Sequence, residues 1–356
     1  MTTGPLVSIC IPTYNRAAYL RESLQGVCAQ TYRPLEILIS DNASDDETEE
    51  LCRRLASSDN RVRYVRQPSN IGLYGNHNFC MNESRGTFLC LFHDDDHHDP
   101  EAISRSVAFL LEHPEAGLVC PDWRLMDDEG RRVGTRRHLV KSVTPGLEYI
   151  EKTLQTGRSF ICTPGTVIRK SALGDIRFNE KGPLGFADFV IWFRIAEHYS
   201  VGHIAEPLWS YRQHKGSLSR RTVHSMTADY DEVLMGYCKE HLTRWPNRTD
   251  QVKRWEGMIH KFLFWALVYE ICLNFRTESP QRSAPLSEKT FFERMSYRLD
   301  TKQLQEVKRS LLRHQRGILQ PMVRSAIEWM LRIHLTWPLA QMTRYPEPFR
   351  AILGMK

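Results

Sequence analysis

The 356-residue chain lacks three features that mark large classes of protein. Its nine cysteines form no Cys-x-x-Cys pair, which argues against a cysteine-based zinc cluster and for reduced thiols in a cytosolic compartment. The best candidate for a membrane span, residues 262–275, is too short and contains Glu270, so a buried helix is expected there. The first ten residues have neither a basic region nor a long apolar stretch, so no signal peptide is expected. These absences favour a folded, cytoplasmic protein.

The positive charge of the chain is modest and unevenly distributed. The formal net charge is +6, and residues 301–356 hold ten lysines and arginines against three glutamates. No nucleic-acid-binding motif accompanies this charge, so nucleic acid is not an expected partner. Tryptophan, leucine and isoleucine interleave with arginine in this region. Two interpretations stay open for it: a helical cap or dimer contact, or an amphipathic surface on anionic lipid at the inner face of a membrane.

The first half of the chain alternates short β-rich apolar runs with segments of helical periodicity. This alternation predicts an α/β fold with a mostly parallel sheet flanked by helices. From residue 221 the pattern is helical without strands, which predicts an α/β domain over 1–220 and a helical C-terminal region over 221–356. The predicted strands are Val7–Pro12, Leu35–Ser40, Val62–Gln67, Thr87–His93 and Gly117–Pro121.

Acidic residues directly follow two of the predicted strands. Asp41 follows the second strand, and the run Asp94–Asp96 follows the fourth. A helix is expected after this run, with Asp99 as its cap and Pro100 as its first residue. Ligands of such sheets bind at the carboxyl ends of the strands. Adjacent carboxylates repel one another, so two interpretations stay open: a site for Mg²⁺ or Mn²⁺, or a solvated acidic start of a helix.

Four segments of the first half, in this order, resemble the nucleotide-binding half of a family 2 glycosyltransferase with the GT-A fold. The resemblance implies a nucleotide-sugar-binding half over 1–125 and an acceptor and catalytic half over 126–220. The segments are VSICIPTYNR (7–16), ILISDNASDDET (37–48), NIGLYGNHN (70–78) and LFHDDDHHDP (91–100).

The resemblance implies individual roles at the nucleotide end. Pro12 and Tyr14 are expected to form part of the nucleotide pocket, with Tyr14 stacked on the base. Asp41 is expected to accept a hydrogen bond from the base, a role suited to an ionised carboxylate. The structural alternatives are that Tyr14 covers the end of the sheet and that Asp41 simply ends a strand.

The family carries an Asp-x-Asp-Asp pattern at the aspartate run, and this chain departs from it. His93 stands at the first position. The resemblance therefore implies Asp95 as the ligand of a divalent cation, Mn²⁺ or Mg²⁺, and places Asp94 toward the ribose or phosphate of the donor.

The segment GFADFVIWFR (185–194) resembles the part of the family that supplies the catalytic base. Ala187 stands where glutamate is common, which leaves Asp188 as the implied base. A helix-capping aspartate is the alternative. Further along, WSYRQHKGSLS (209–219) resembles a Tyr-Arg-x-His element.

The Tyr-Arg-x-His element implies two more contacts. His214 would complete the metal shell or touch the diphosphate, and Arg212 would pair with the diphosphate. A structural histidine is the alternative for His214.

The residues and the resemblance together predict an inverting, metal-dependent glycosyltransferase. It would move a sugar from a nucleotide-diphosphate donor, with UDP as the expected nucleotide, to a hydroxyl of a carbohydrate or lipid-linked acceptor. A catalytically inactive nucleotide-sugar-binding or scaffolding protein is the alternative, motivated by His93 and Ala187. Nucleotidyl transfer is a third reading, but it lacks a Gly-rich, Lys-bearing loop after the first strand, where this chain has PTYNR.

Overall fold

The computed structural model describes residues 4–183, 185–214, 216–217 and 226–259. The strands are β1 (Val7–Thr13), β2 (Leu35–Asp41), β3 (Val62–Arg66), β4 (Phe88–Leu91), β5 (His97–His98), β6 (Ala116–Met126), β7 (Arg132–Arg136), β8 (Val143–Thr144), β9 (Val167–Arg169) and β10 (Ser200–Arg212). The helices are α1 (Ala17–Cys28), α2 (Thr48–Ser58), α3 (Leu73–Glu83), α4 (Ala102–Glu112), α5 (Gly146–Thr156), α6 (Lys170–Leu173), α7 (Ala187–Ala196) and α8 (Met226–Arg244), and short 3₁₀ turns cover Thr163–Gly165 and Pro246–Arg248.

One central sheet organises the described chain, in the order β3-β2-β1-β4-β9-β6-β10-β5. Strands β3, β2, β1 and β4 are parallel neighbours, and every residue of β1 is buried. Strand β9 runs antiparallel to both β4 and β6 and joins the parallel N-terminal strands to the parallel pair β6 and β10. Helices cover the β1 strand on both faces, which explains its nearly continuous apolar sequence. The predicted α/β class is confirmed.

The loop after β4 differs locally from the sequence prediction. Helix α4 begins at Ala102 with Glu101 before it, not at Pro100 with Asp99 as its cap. The Asp99 carboxylate is committed instead to Arg124, which donates to it at 3.0 and 2.9 Å. His97 and His98, which directly follow the aspartates, form β5, which pairs with β10.

Helix α8 packs on the end of α7. Glu197, just after α7, accepts hydrogen bonds from the Tyr237 hydroxyl at 2.9 Å and from Arg244 at 2.7 Å. The chain divides into two units, Met1–Ile259 and His260–Lys356, and the second lies outside the described residues. The helix expected over 262–275 and the basic region 301–356 belong to that second unit. Within the described residues, no helix combines the length and the apolar character that crossing a bilayer requires.

Candidate active site

A cavity of about 870 Å³ opens at the carboxyl ends of β1, β2 and β4. The strand ends supply one wall, and the 3₁₀ turn at Thr163 and the start of α7 supply another. Its size is typical of sites for small-molecule ligands. The site residues predicted from the sequence that line it are Pro12, Tyr14, Asp94, Asp95, Asp188 and His214.

The first two carboxylates of the aspartate run are held by residues from the end of β1. The Thr13 hydroxyl donates to Asp94 Oδ2 at 2.7 Å. Arg16 Nη1 bridges the two acids, at 3.1 Å from Asp94 Oδ1 and 2.5 Å from Asp95 Oδ2. A guanidinium therefore already neutralises part of the negative charge of the cluster.

Burial and local charge shift the pKa values of the three aspartates in different directions. Burial, reinforced by the charge of Asp95, raises the pKa of Asp94 to about 6. Burial, again reinforced by Asp95, raises the pKa of Asp96 well above its ordinary value. Burial acts in the same direction on Asp95, but its interactions with His93 and Arg16 and the hydrogen bond from His214 outweigh burial and lower the pKa of Asp95. Asp95 is therefore the ionised member to which a cation would bind.

The donor atoms around Asp95 fit a divalent cation. His93, Asp95 and Asp96 each offer one ligand atom, and these atoms lie within 4.8 Å of one another. Asp96 Oδ2 is buried, has no hydrogen-bond partner among the described residues, and lies 3.8 Å from His93 Nδ1. Two carboxylates suit Mg²⁺ or Mn²⁺, and imidazole is a ligand that transition metals accept.

His214 lies behind Asp95 with both ring nitrogens engaged. Its Nδ1 accepts the backbone N–H of Gly216 at 3.2 Å, so the proton of the neutral ring is on Nε2. Nε2 donates to Asp95 Oδ2 at 3.0 Å, and the ring packs on Tyr19 at 4.6 Å between centroids. In this geometry His214 orients Asp95, and binding a cation directly would require the Nε2 proton to leave.

Arg212 contacts the aspartate loop through both its backbone and its side chain. Its backbone N–H donates to Asp96 Oδ1 at 2.9 Å, and its Nε donates to the Asp95 carbonyl at 2.9 Å. Its Nη1 donates to the carbonyl of Asp128 at 2.7 Å, and its Nη2 donates to Glu22 Oε2 at 2.5 Å. The side chain is buried and does not line the cavity, so its predicted pairing with a diphosphate stays a prediction.

The two residues expected to contact the base occupy different environments. Tyr14 is 45% exposed and lines the cavity beside Pro12. The side chain of Asp41 is fully buried and accepts hydrogen bonds from the Tyr64 hydroxyl at 2.7 Å and from Arg66 at 3.2 Å. Asp41 does not line the cavity, so its predicted hydrogen bond to a base stays a prediction.

Asn42, the next residue along, reaches the cavity wall. Its Nδ2 donates to Asn70 Oδ1 at 3.0 Å and to the Gly72 carbonyl at 3.1 Å. Its Oδ1 accepts the Ile71 N–H at 2.8 Å. The amide therefore fixes the loop before α3 against the end of β2, at the side of the cavity that holds Tyr14.

Asp188 lies in the first turn of α7, which begins after Phe186 in a left-handed conformation with φ of 59°. The Thr163 hydroxyl donates to Asp188 Oδ2 at 3.2 Å. Burial raises the pKa of Asp188 above its ordinary value, against the lowering effect of this hydrogen bond. A carboxylate with a raised pKa in a cavity wall is a proton acceptor suited to general base catalysis.

Sequence reasoning missed three residues that organise the site: Thr13, Arg16 and Thr163. Arg16 lies at the end of the segment VSICIPTYNR, just after the first predicted strand. Its place at the same edge of the sheet as the three aspartates was a usable signal. Thr163 carried no signal of its own, because its partner Asp188 lies 25 positions further along the chain.

Comparison with known proteins identifies relatives for most of the described chain. EpsE of Bacillus subtilis, named as a glycosyltransferase, is 26% identical over 242 residues, which cover 67% of this chain and 82% of EpsE. An uncharacterized glycosyltransferase of Rickettsia typhi is 25% identical over 276 residues, 74% of this chain and 79% of the relative.

Solved structures share the fold. TarS 1-349 of S. aureus, in complex with UDP-GlcNAc, superposes with a TM-score of 0.59 at 18% identity, over 81% of this chain and 79% of that one. The mannosyltransferase PcManGT of Pyrobaculum calidifontis, in complex with GDP-Man and Mn²⁺, superposes with a TM-score of 0.55 at 18% identity. The match covers 99% of this chain and 84% of PcManGT. The sequence model of the family named Glycosyl transferase family 2 matches residues 8–177, which contain the ends of β1, β2 and β4 that build the cavity. Residues 8–177 of the chain are thus similar to glycosyl transferase family 2.

Proposed function

We propose that the protein is an inverting glycosyltransferase that uses a nucleotide-diphosphate sugar, with UDP as the first candidate nucleotide. The observation that carries this proposal is that a partly buried carboxylate, Asp188, and the aspartates Asp94 and Asp95 line one cavity. The reaction needs a proton acceptor near the attacking hydroxyl. It also needs positive charge near the departing diphosphate, which Arg16 and a cation held by the aspartates would supply.

The donor is proposed to occupy the side of the cavity formed by the strand ends. Tyr14 offers an exposed ring for stacking on the base, and Asn42 fixes the loop beside it. The two solved neighbours support a nucleotide-sugar donor but carry different bases, since TarS binds UDP-GlcNAc and PcManGT binds GDP-Man.

A divalent cation, Mn²⁺ or Mg²⁺, is proposed as the cofactor. Asp95 would hold it, together with His93 or Asp96, whose ligand atoms lie near by. When bound, such a cation supplies positive charge to a diphosphate leaving group. On the protein side, Arg16 adds positive charge, and His214 and Arg212 keep the Asp95 carboxylate and its loop in place.

The acceptor is proposed to approach from the side of α7. Its hydroxyl oxygen forms a bond to the anomeric carbon while the bond from that carbon to the diphosphate oxygen breaks, and the electron pair leaves with the diphosphate. The hydroxyl proton passes to Asp188, which Thr163 orients. A single displacement of this kind inverts the anomeric configuration.

Calorimetric titration with UDP, GDP and dTDP, each with Mn²⁺ and with EDTA, tests the donor site. We expect one nucleotide to bind in Mn²⁺ at least about tenfold more tightly than the other two, and EDTA to weaken that binding. Failure of all three nucleotides to bind would contradict the proposal. Equal nucleotide affinity with Mn²⁺ and with EDTA would contradict only the proposed cation cofactor. Arg16 would then be the source of positive charge for the diphosphate.

A transfer assay separates catalysis from binding. The protein is incubated with nucleotide-diphosphate sugars that carry the preferred nucleotide, together with an extract that contains candidate acceptors. Release of free nucleotide that depends on acceptor supports the transferase. Tight binding without any release would support the alternative of a nucleotide-sugar-binding protein, which the alanine at position 187 motivates. A carbohydrate or lipid-linked acceptor, and membrane contact or self-association through residues 221–356, stay predictions.

A further inference from the structure

A second cluster of ligand-bearing side chains lies on the strands β6 and β10. Asp122 on β6 and His203 on β10 are each 2% exposed, and His138, which follows β7, is partly exposed. None of the three lines the cavity that holds Asp95 and Asp188. The proposed transferase reaction therefore makes no use of them.

The three side chains converge on one oxygen atom. His203 Nε2 lies 2.9 Å from Asp122 Oδ1, and His138 Nδ1 lies 3.0 Å from the same atom. The ligand atoms of all three residues lie within 4.8 Å of one another. Ligands bonded to Zn²⁺ at about 2.0 Å in a tetrahedron are separated from one another by about 3.3 Å. The two oxygen-to-nitrogen distances therefore lie within a few tenths of an ångström of the separation found in a metal shell.

The hydrogen-bonding capacity of Asp122 favours a shared cation over hydrogen bonds alone. The backbone N–H of His138 also donates to Oδ1, at 3.0 Å. Three donors on one carboxylate oxygen exceed its two lone pairs, so at least one imidazole nitrogen is better placed as a ligand than as a donor. In the described part of the chain, the two histidines are the only ion-pair partners of this buried acid.

We propose that Asp122, His138 and His203 form a binding site for one zinc-class divalent cation. Two imidazoles and one carboxylate suit Zn²⁺ or Co²⁺, and water would complete the tetrahedron from the partly exposed side of His138. The two strands fix two ligands, while His138 follows β7, whose residues are all exposed. The cation ties the segment after β7 to the sheet and acts as a structural element.

Titration of metal-stripped protein, purified without a histidine tag, with Co²⁺ tests the site through visible absorption. We expect the spectrum of a four-coordinate Co²⁺ complex, one ion per chain, displaced by Zn²⁺. Because His138 is a ligand, His138→Ala should weaken Co²⁺ binding by more than the roughly 10–100-fold cost of losing an outer-shell partner. His138 is partly exposed, so this variant should stay folded, which circular dichroism checks.

Two control variants separate this site from other metal binding. His113→Ala removes a histidine at the end of α4, which pairs with Glu115, and should leave Co²⁺ affinity unchanged. Asp95→Asn removes the proposed cation ligand of the cavity and should also leave the Co²⁺ spectrum unchanged. No spectrum with the wild type, an undiminished spectrum in His138→Ala, or loss of the spectrum in Asp95→Asn would each overturn the site.

Discussion

At the scale of single residues, the chemistry of the cavity depends on one carboxylate. Asp188 is partly buried in the first turn of α7, accepts a hydrogen bond from Thr163, and lines the same cavity as the aspartate run. Its amide analogue keeps the shape and the hydrogen bond from Thr163 but cannot accept a proton. This makes Asp188→Asn the sharpest test of the proposed catalytic base.

Asp188→Asn should lower the rate of sugar transfer by roughly 10²–10⁴-fold, the usual contribution of a general base. The nucleotide is proposed to bind at the strand ends, so its affinity by calorimetry should change less than about twofold. Asp175→Asn, outside the cavity, serves as the matched control and should retain full activity. Retained activity in Asp188→Asn would exclude Asp188 as the base.

Thr163→Val tests how Asp188 is tuned. Burial raises the pKa of Asp188, and the hydrogen bond from Thr163 lowers it, so loss of the hydroxyl should raise the pKa further. The base works when ionised, so activity falls as the pH drops through this pKa. The acid limb of the pH–rate profile should therefore move to higher pH in Thr163→Val. An unshifted limb would mean that another group controls it.

At the scale of elements, the start of α5 packs against the chain that leaves α7. A Cβ at Gly146 would lie 1.9 Å from the carbonyl oxygen of Ala196 and 2.4 Å from that of Tyr199, and backbone atoms cannot move aside. Gly236, in α8, has nothing within 4 Å of such a Cβ. The same substitution therefore has opposite consequences in the two helices.

Gly146→Ala should lower the free energy of unfolding by about 1–3 kcal/mol, as overpacking does. Gly236→Ala should raise it by about 0.5–1 kcal/mol, because alanine favours a helix interior. Urea denaturation of both variants measures the difference. Equal effects would contradict the close approach of α5 to the residues after α7.

The contact between α7 and α8 depends on Glu197, whose side chain is 6% exposed. Burial opposes its ionisation, but the hydrogen bond from His241 and the charge of Arg244 outweigh burial and lower the pKa. A lowered folded pKa contributes stability above the unfolded pKa, and this stability is lost as the pH falls through the folded pKa. Glu197 should therefore stabilise the α7–α8 contact at neutral pH and less so in acid.

Glu197→Gln should cost about 1–3 kcal/mol of unfolding free energy at pH 7, and the difference from wild type should shrink below about pH 4. Glu240→Gln is the matched control: its carboxylate is 54% exposed, so its pairs with Arg194 and Arg244 should contribute less than about 1 kcal/mol. Denaturant titrations at pH 7 and at a series of pH values below about 4 measure both. A pH-independent cost would contradict the charge argument.

At the scale of the whole molecule, the cavity joins distant parts of the chain. Its lining runs from Pro12 to Ser217, so a ligand bound there contacts both halves of the sheet and should stabilise the native state as one unit. A ligand at 100 times its dissociation constant stabilises by about 2.7 kcal/mol. Stabilisation by ligand is therefore measurable without knowledge of the acceptor.

Addition of the preferred nucleotide with Mn²⁺ should raise the melting temperature of the wild type by several degrees. For a domain of this size, about 1 kcal/mol corresponds to roughly 2–4 °C. Asp95→Asn should lose most of this rise, because it removes the ionised carboxylate of the cluster. Asp45→Asn, an exposed acid outside the cavity, should keep it. A full rise in Asp95→Asn would exclude Asp95 from donor binding.

The sequence by itself determined the features that depend on neighbours along the chain. Apolar runs bounded by turns predicted the strands of the parallel sheet. Residues that follow a strand lie at its carboxyl end, so the aspartates after β4 had to lie at that edge of the sheet. The position of Asp188 next to an apolar helix likewise placed it in the first turn of α7.

Only the tertiary structure decided where side chains point and which distant groups they meet. It turned Asp41 and Arg212 away from the cavity, brought Arg16 onto Asp95, and gathered Asp122, His138 and His203 around one oxygen. The reason is that such contacts are made between elements far apart in sequence, through burial and charge pairing that no local pattern records.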